Sequence, residues 1–164
     1  MILPFNQQIE SIKGFIMSEH IVDLSWKNQA TSFDYKLYTR DYTCKFDNGL
    51  EVKSSAAPKY LGSATCVDPE ESLVAALAGC HMLTFLAFCS LKKFEVISYS
   101  DHAVGHLTPN ENKKFWISKI ELNPKVEFAV GKSPTTEEIH QLHEKAHGDC
   151  FIANSIKSEV VVNS

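Results

Sequence analysis

A chain of 164 residues with 44% hydrophobic and 22% charged residues has the length and composition of a folded globular protein with a real core, not of a disordered or fibrous one. Its formal charge of −4, with lysines scattered and only Lys92-Lys93 and Lys113-Lys114 adjacent, excludes the concentrated basic face of a nucleic-acid binder. Five cysteines without any C-x-x-C spacing exclude a zinc ribbon or a thioredoxin motif, and an odd count with no secretory signal favours a reducing compartment, the cytoplasm.

Residues 1–17 read as an N-terminal extension, with Met17 a second plausible start, and 18–164 as a single domain. Met1 to Phe15 lacks the basic flank, apolar run and cleavage site of a signal peptide. Ile21–Trp26 alternates apolar and polar like a half-buried strand. Tyr42–Phe46, Asp47-Asn48-Gly49 and Leu50–Lys53 read as a β-hairpin, with Asn-Gly supplying the positive-φ pair of a type I′ turn. Residues 55–67 are a loop of small residues, proline and glycine.

A helix start follows. Asp68 is a good N-cap, Pro69 suits the first helical position, and Glu71 completes a capping-box pattern. The helix runs to Lys92-Lys93, whose charges suit its C-terminal dipole. Leu73–Leu91 is long enough to cross a membrane at about 1.5 Å per residue. It carries Gly79, Cys80, His81, Thr84, Cys89 and Ser90, however, and stands alone in a chain otherwise full of polar alternation. The reading adopted is a central helix buried on all sides, with no membrane partner. Its Ala75, Ala76, Ala78 and Gly79 permit close approach of another backbone.

Glu95–Leu107 and Phe115–Val130 alternate over strand lengths, joined by a polar turn at Thr108–Asn112. Pro124 breaks the second run or marks an edge. Ser133-Pro134 opens a second helix with Ile139, Leu142 and Ala146 as its apolar stripe, ending at Cys150. Lys157–Asn163 closes as a short strand. The order β-β-β-α-β-β-α-β is that of an α+β sandwich, without internal repeats.

Two cysteines stand out: Cys80, in the apolar helix, and Cys150, at the end of the amphipathic one. A thiol on an Ala/Gly-rich helix is by itself an inert small hydrophobe. It becomes reactive when something favours its thiolate and a second thiol can reach it. Arg40 is the only arginine in the chain, and a guanidinium can favour a thiolate and hydrogen-bond a peroxide. A carboxylate such as Glu70 can hold that planar fork bidentately. Each residue also has a plainer reading: Arg40 as a surface cation, Glu70 as a dipole-favoured acid at a helix start, and both thiols as packing. Cys66 and Cys89 are read only in that plainer way, as a loop thiol and a core residue.

Thr39-Arg40-Asp41 before the hairpin, Asp68-Pro-Glu70-Glu71 ahead of Ala78-Gly79-Cys80-His81-Met82, and a late helix ending in Cys150 together resemble the OsmC/Ohr family of thiol-dependent hydroperoxide reductases. The likeness covers about residues 18 to 163. It implies an OsmC-like fold, with antiparallel sheets around a long central helix, in an intertwined homodimer with two sites at the subunit interface. It implies a peroxidatic Cys80, a resolving Cys150, and Arg40 with Glu70 arranging the site. Organic hydroperoxides, and hydrogen peroxide, are the implied substrates. An external dithiol, for instance of lipoyl type, would be the reductant, with no bound cofactor or metal. Phe151-Ile152 follows Cys150 where family members often carry proline, and Cys44 stands where an aromatic is common, so the OsmC or Ohr subfamily stays open.

Two other readings remain. His140, His143 and His147 recur at spacings of three and four, as metal ligands on a helix can, with Asp149 and Cys150 close by and His102 and His106 elsewhere. Alternatively the domain binds a small apolar ligand without catalysis, in an interface pocket around Phe85, Phe88 and Trp116, with Cys80 merely lining it. Within the peroxidase reading, Leu77, Phe85 and Trp116 leave room for a hydrophobic substrate group.

Glu70 and Cys80 lie ten residues apart on one helix, which is roughly 15 Å along the axis and a rotation of some 80°. A glutamate–arginine–thiolate contact then needs an extended Arg40, a helix broken near Gly79, or residues supplied by a partner subunit. The third is expected, because a small-residue helix suits a two-fold interface.

Overall fold

The computed structural model describes residues 18–164; the expected extension over 1–17 and the second start at Met17 lie outside the described residues. Contacts divide the chain into two compact units, the first ending at Cys66 and the second running from Val67 to Ser164. In the first, β1 (Val22–Ser25), β2 (Tyr42–Phe46) and β3 (Glu51–Ser54) form an antiparallel sheet in the order β1-β2-β3. Leu24 pairs with Cys44, and Cys44 in turn with Val52.

The hairpin forms where the sequence places it, with a different turn. Gly49 alone takes positive φ, at +86°, and Asn48 does not. The Gly49 N–H donates to the Phe46 carbonyl and the Asn48 side chain accepts from the Leu50 N–H, both at 2.9 Å. This is a three-residue loop closed by a left-handed glycine, with Asn48 spending its side chain on the backbone instead of adopting positive φ.

The second unit is built on α1 (Pro69–Leu91), an uninterrupted helix of 23 residues. Its start follows the sequence: the Asp68 side chain accepts from the Glu71 N–H at 2.7 Å, and the Glu71 carboxylate accepts from the Asp68 N–H at 3.1 Å. The next elements are β4 (Val96–Asp101), β5 (Val104–Pro109), β6 (Phe115–Leu122), β7 (Pro124–Phe128), α2 (Thr136–Asp149) and β8 (Glu159–Val162). The single strand expected over 95–107 is two, parted at His102-Ala103, and Pro124 does divide the later run. β4 pairs with β7, while β5-β6-β8 form a second sheet in which β6 and β8 run parallel. Helix α2 begins at Thr136, not at Ser133-Pro134, because Thr135 and Glu138 supply a second capping box; the threonine side chain accepts a backbone N–H that proline cannot satisfy.

Two apolar clusters fill this unit, and α1 serves both. Its first half places Leu77 with Ile120, Leu122 and Cys150, backed by Val160 and Val162. Its second half places Phe85, Phe88 and Cys89 against Leu142 and Ala146, backed by Val96, Tyr99, Val126 and Phe128. Gly105 lets the helix settle on the sheet: a Cβ there would stand 2.6 Å from a Val74 methyl carbon. The sequence predicts a helix buried on all sides, whereas one face of α1 is exposed in this chain. Ala75, Ala76 and Ala87 are exposed, Leu83 is 64% exposed and Leu91 50%. Helix α1 is long and apolar enough to cross a membrane, but one face of it forms the core of this unit.

Candidate active site

Cys80 sits on the fourth turn of α1, partly buried, with its carbonyl accepting from the Thr84 hydroxyl at 2.8 Å. Three residues earlier on the same helix, Leu77 is fully buried against Cys150. Cys80 packs against this cluster as well. Cys150 closes α2 as its C-cap, in an extended conformation (φ −73°, ψ 115°) that turns the chain out of the helix. Its side chain is fully buried, and its sulfur accepts the Ala153 N–H at 3.4 Å. Burial is the main cause that raises its pKa, with the Cys80 thiol the next cause, acting as a hydrogen-bonding neighbour, while the Ala153 and Ile152 N–H groups oppose the rise. Residues 80 and 150, far apart in sequence, are therefore brought side by side. All five cysteines are free thiols.

Leu142, Ala146 and Cys150 are buried at successive i, i+4 positions, the stripe by which α2 packs on α1. His143 joins that face. The Nε2 of His81 and the Nδ1 of His143 are 3.0 Å apart, the two ring planes differ by 2° with centroids 5.3 Å apart, and His143 stacks on Phe85 at 4.1 Å and 18°. Both rings are buried. Burial pushes the pKa of each down to about 4, helped for His81 by His147 and for His143 by His81 and then His140. Near neutral pH the pair is uncharged, one ring donating and the other accepting.

This arrangement does not gather the three histidines of α2 into one ligand set. His143 faces the core and its Nδ1 bonds His81, while His140 lies exposed, 3.5 Å from Glu144. Among the described residues no three histidine, cysteine or acidic side chains are grouped to hold a metal ion. The sequence reading missed His81 as a partner altogether. Its one available signal was a histidine at the fourth position from Leu77 and from Phe85, hence on the buried stripe of α1.

In the first unit, Arg40 is fixed by its own neighbours. Its two terminal nitrogens donate to the Tyr38 carbonyl at 3.0 Å and the Tyr35 carbonyl at 2.7 Å. Its guanidinium carbon lies 4.2 Å from the centre of the Tyr38 ring and 5.2 Å from that of Tyr35, stacking typical of arginine. Trp26, Phe33, Tyr35 and Tyr38 with Arg40 line an open cup. Its neighbour Asp41 accepts from the Ser63 hydroxyl at 2.7 Å, and the Ser63 and Ser55 hydroxyls lower its pKa. Glu70 lies in the first turn of α1, half-buried, and takes no part in the cap, which Glu71 provides. Because α1 is continuous through Gly79, a break there does not shorten the distance from Glu70 to Cys80. Of the residues expected around an apolar ligand, Phe85 and Phe88 are core residues, while Trp116 is 38% exposed on β6.

A family model described as OsmC-like protein matches residues 62–164. The chain belongs to the OsmC-like protein family. An OsmC-like protein of unknown function from Vibrio cholerae O1 biovar eltor is similar over 90% of this chain and 99% of its own, with 40% identity and a TM-score of 0.86. An organic hydroperoxide resistance protein from Elizabethkingia anophelis shares the fold at 22% identity, covering 88% of this chain and 94% of its own with a TM-score of 0.64. The organic hydroperoxide resistance protein OhrB of Bacillus subtilis shares it at 18% identity, over 89% of this chain and 96% of its own, with a TM-score of 0.61. No curated protein sequence matches the chain. The OsmC-like fold expected from the cysteine, arginine and glutamate motifs is thus the fold of this protein.

Proposed function

We propose that this protein is a thiol-dependent peroxidase that reduces organic hydroperoxides, and hydrogen peroxide as well, with Cys80 as the peroxidatic and Cys150 as the resolving cysteine. The observation that carries the reading is the meeting of these two free thiols in one apolar cluster. The hydroperoxide-resistance role named for two of its structural neighbours supports it.

The difference between the two thiols supports this order. Cys80 is partly exposed and so reachable by a substrate, while Cys150 is fully buried with a raised pKa. In the first step the Cys80 thiolate attacks one peroxide oxygen and the O–O bond breaks. The sulfur is oxidised to sulfenic acid, and the leaving alkoxide takes a proton to become the alcohol. In the second step the Cys150 sulfur attacks the sulfenic sulfur; a disulfide forms, water leaves with the hydroxyl, and the Cys150 proton balances it. An external dithiol, of which a lipoyl group is one type, then reduces the disulfide by exchange and becomes a disulfide itself.

Arg40 and Glu70 complete the proposed site. Arg40 stabilises the thiolate and the departing oxygen, its fork held by the tyrosine carbonyls and rings, and Glu70 orients it. Both are supplied to Cys80 by the second subunit of a homodimer. The apolar face that α1 leaves exposed, with Ala75, Ala76, Leu83, Ala87 and Leu91, supports such an interface, because an apolar helix face of this kind is normally covered. The test is peroxide consumption with a dithiol present. Wild type should turn over; Cys80→Ser, folded by circular dichroism, should not. Activity near wild type in that variant would sink the proposal.

A further inference from the structure

We propose that His81 and His143 are a latch between the two thiol-bearing helices, and that their hydrogen bond positions Cys150 for attack on oxidised Cys80. This rests on the peroxidase reading above. His81 follows Cys80 directly on α1, and His143 lies two turns before Cys150 on the buried face of α2. Their bond of 3.0 Å, with the rings coplanar to 2°, joins the two helices directly. It stands where the two apolar clusters of the unit meet, Leu77 with Cys150 on one side and Phe85 with Leu142 and Ala146 on the other.

Around it the α1–α2 contact is largely apolar packing, with the Lys145 ammonium 4.6 Å from the centre of the Phe88 ring. Packing of this kind is non-directional and tolerates small slides and rotations of one helix on the other. A disulfide does not: it needs Cβ atoms about 3.8 Å apart and a specific dihedral. Displacing α2 by a single residue means about 1.5 Å along its axis and 100° around it, enough to lose the reacting geometry. A directional, water-excluded hydrogen bond one residue from one thiol and seven from the other fixes both coordinates. The pair also occupies an expensive place for polar groups: the His81 Nδ1 is buried without a hydrogen-bond partner. A leucine and a phenylalanine would fill the same space without leaving a buried nitrogen unpaired. The registry role is what two apolar side chains could not perform, as with other buried polar pairs that set helix register.

Two substitutions at one site separate the bond from the ring. His143→Asn keeps an amide oxygen near the position of Nδ1 but loses the stack on Phe85; His143→Phe keeps the ring and loses the bond. Two rates are measured, sulfenic acid formation with one equivalent of hydroperoxide and closure of the Cys80–Cys150 disulfide. The first should be unchanged in both variants. Closure should stay within about threefold of wild type in His143→Asn and fall tenfold or more in His143→Phe, because the lost contact is worth about one pairing factor of ten. The opposite order, with the phenylalanine variant fast and the asparagine variant slow, means that ring packing alone matters and overturns the latch. His81→Gln and His81→Leu repeat the comparison from the other helix should His143→Phe not fold. Diamide closes the same disulfide by accepting two electrons from the two thiols without any peroxide. A wild-type protein inert to hydroperoxide but fast with diamide, with slow closure in His143→Phe, would overturn the peroxidase and leave the latch standing.

Discussion

Acidification should weaken this protein before its carboxylates begin to titrate. His81 and His143 have pKa values pushed from 6.5 down to about 4 by burial and by neighbouring imidazoles. In the unfolded chain each takes up a proton below pH 6.5, whereas the folded protein resists until about pH 4. Across that window the unfolded state binds more protons, so stability falls as pH falls, and the loss levels off below pH 4. One such ring costs about 2 kcal/mol between pH 7.5 and 5, and about 3 kcal/mol over the full window, at 1.36 kcal/mol per pKa unit. The two rings together lose less than twice that, because part of the shift of His143 comes from His81. Two protonated rings cannot keep a contact of 3.0 Å, since two N–H groups would then face each other. Urea unfolding followed by far-ultraviolet circular dichroism at pH 7.5, 6.5, 5.5 and 5 measures the effect. The loss should reach about 2 to 4 kcal/mol by pH 5 and should shrink in a His81→Leu, His143→Phe double variant, compared at the same pH values. A wild-type stability that stays level from pH 7.5 to 5 would refute the reasoning.

Cys150→Ser should reduce one equivalent of hydroperoxide and then accumulate sulfinic acid on Cys80, read by intact mass; a bridge from Cys80 to Cys44, Cys66 or Cys89 in the wild type would reassign the resolving residue. Bulky organic hydroperoxides should give a higher kcat/KM than hydrogen peroxide, since Cys80 lies against an apolar cluster; equal values for cumene hydroperoxide and hydrogen peroxide would count against this. Mixing inactive Cys80→Ser with inactive Arg40→Ala protein under subunit exchange should recover up to one working site per heterodimer. No recovery, with exchange proven by mass, would place the whole site in one chain.

Local signals in the sequence determined much of this protein. The Asp68–Glu71 capping box and the apolar run behind it determined α1; the residues around Gly49 determined the hairpin; Pro124 divided β6 from β7. These are decided by interactions within a few residues, so a linear reading reaches them. It fails where two local solutions compete, as at the start of α2, where the Thr135 capping box prevails over Ser133-Pro134, and in the hairpin turn, where the Asn48 side chain replaces a second positive φ. Tertiary structure alone decided what the polar residues of the helices do. The spacing of His140, His143 and His147 is equally that of a ligand set and of a buried stripe. Only the approach of α1, with His81 one turn from Leu77 and from Phe85, turns His143 inward and leaves His140 in solvent. The meeting of Cys80 and Cys150 has the same origin: seventy residues of chain return through four strands to set one thiol against the other, a closure dictated by which apolar faces pack together and not by the local sequence pattern around either cysteine.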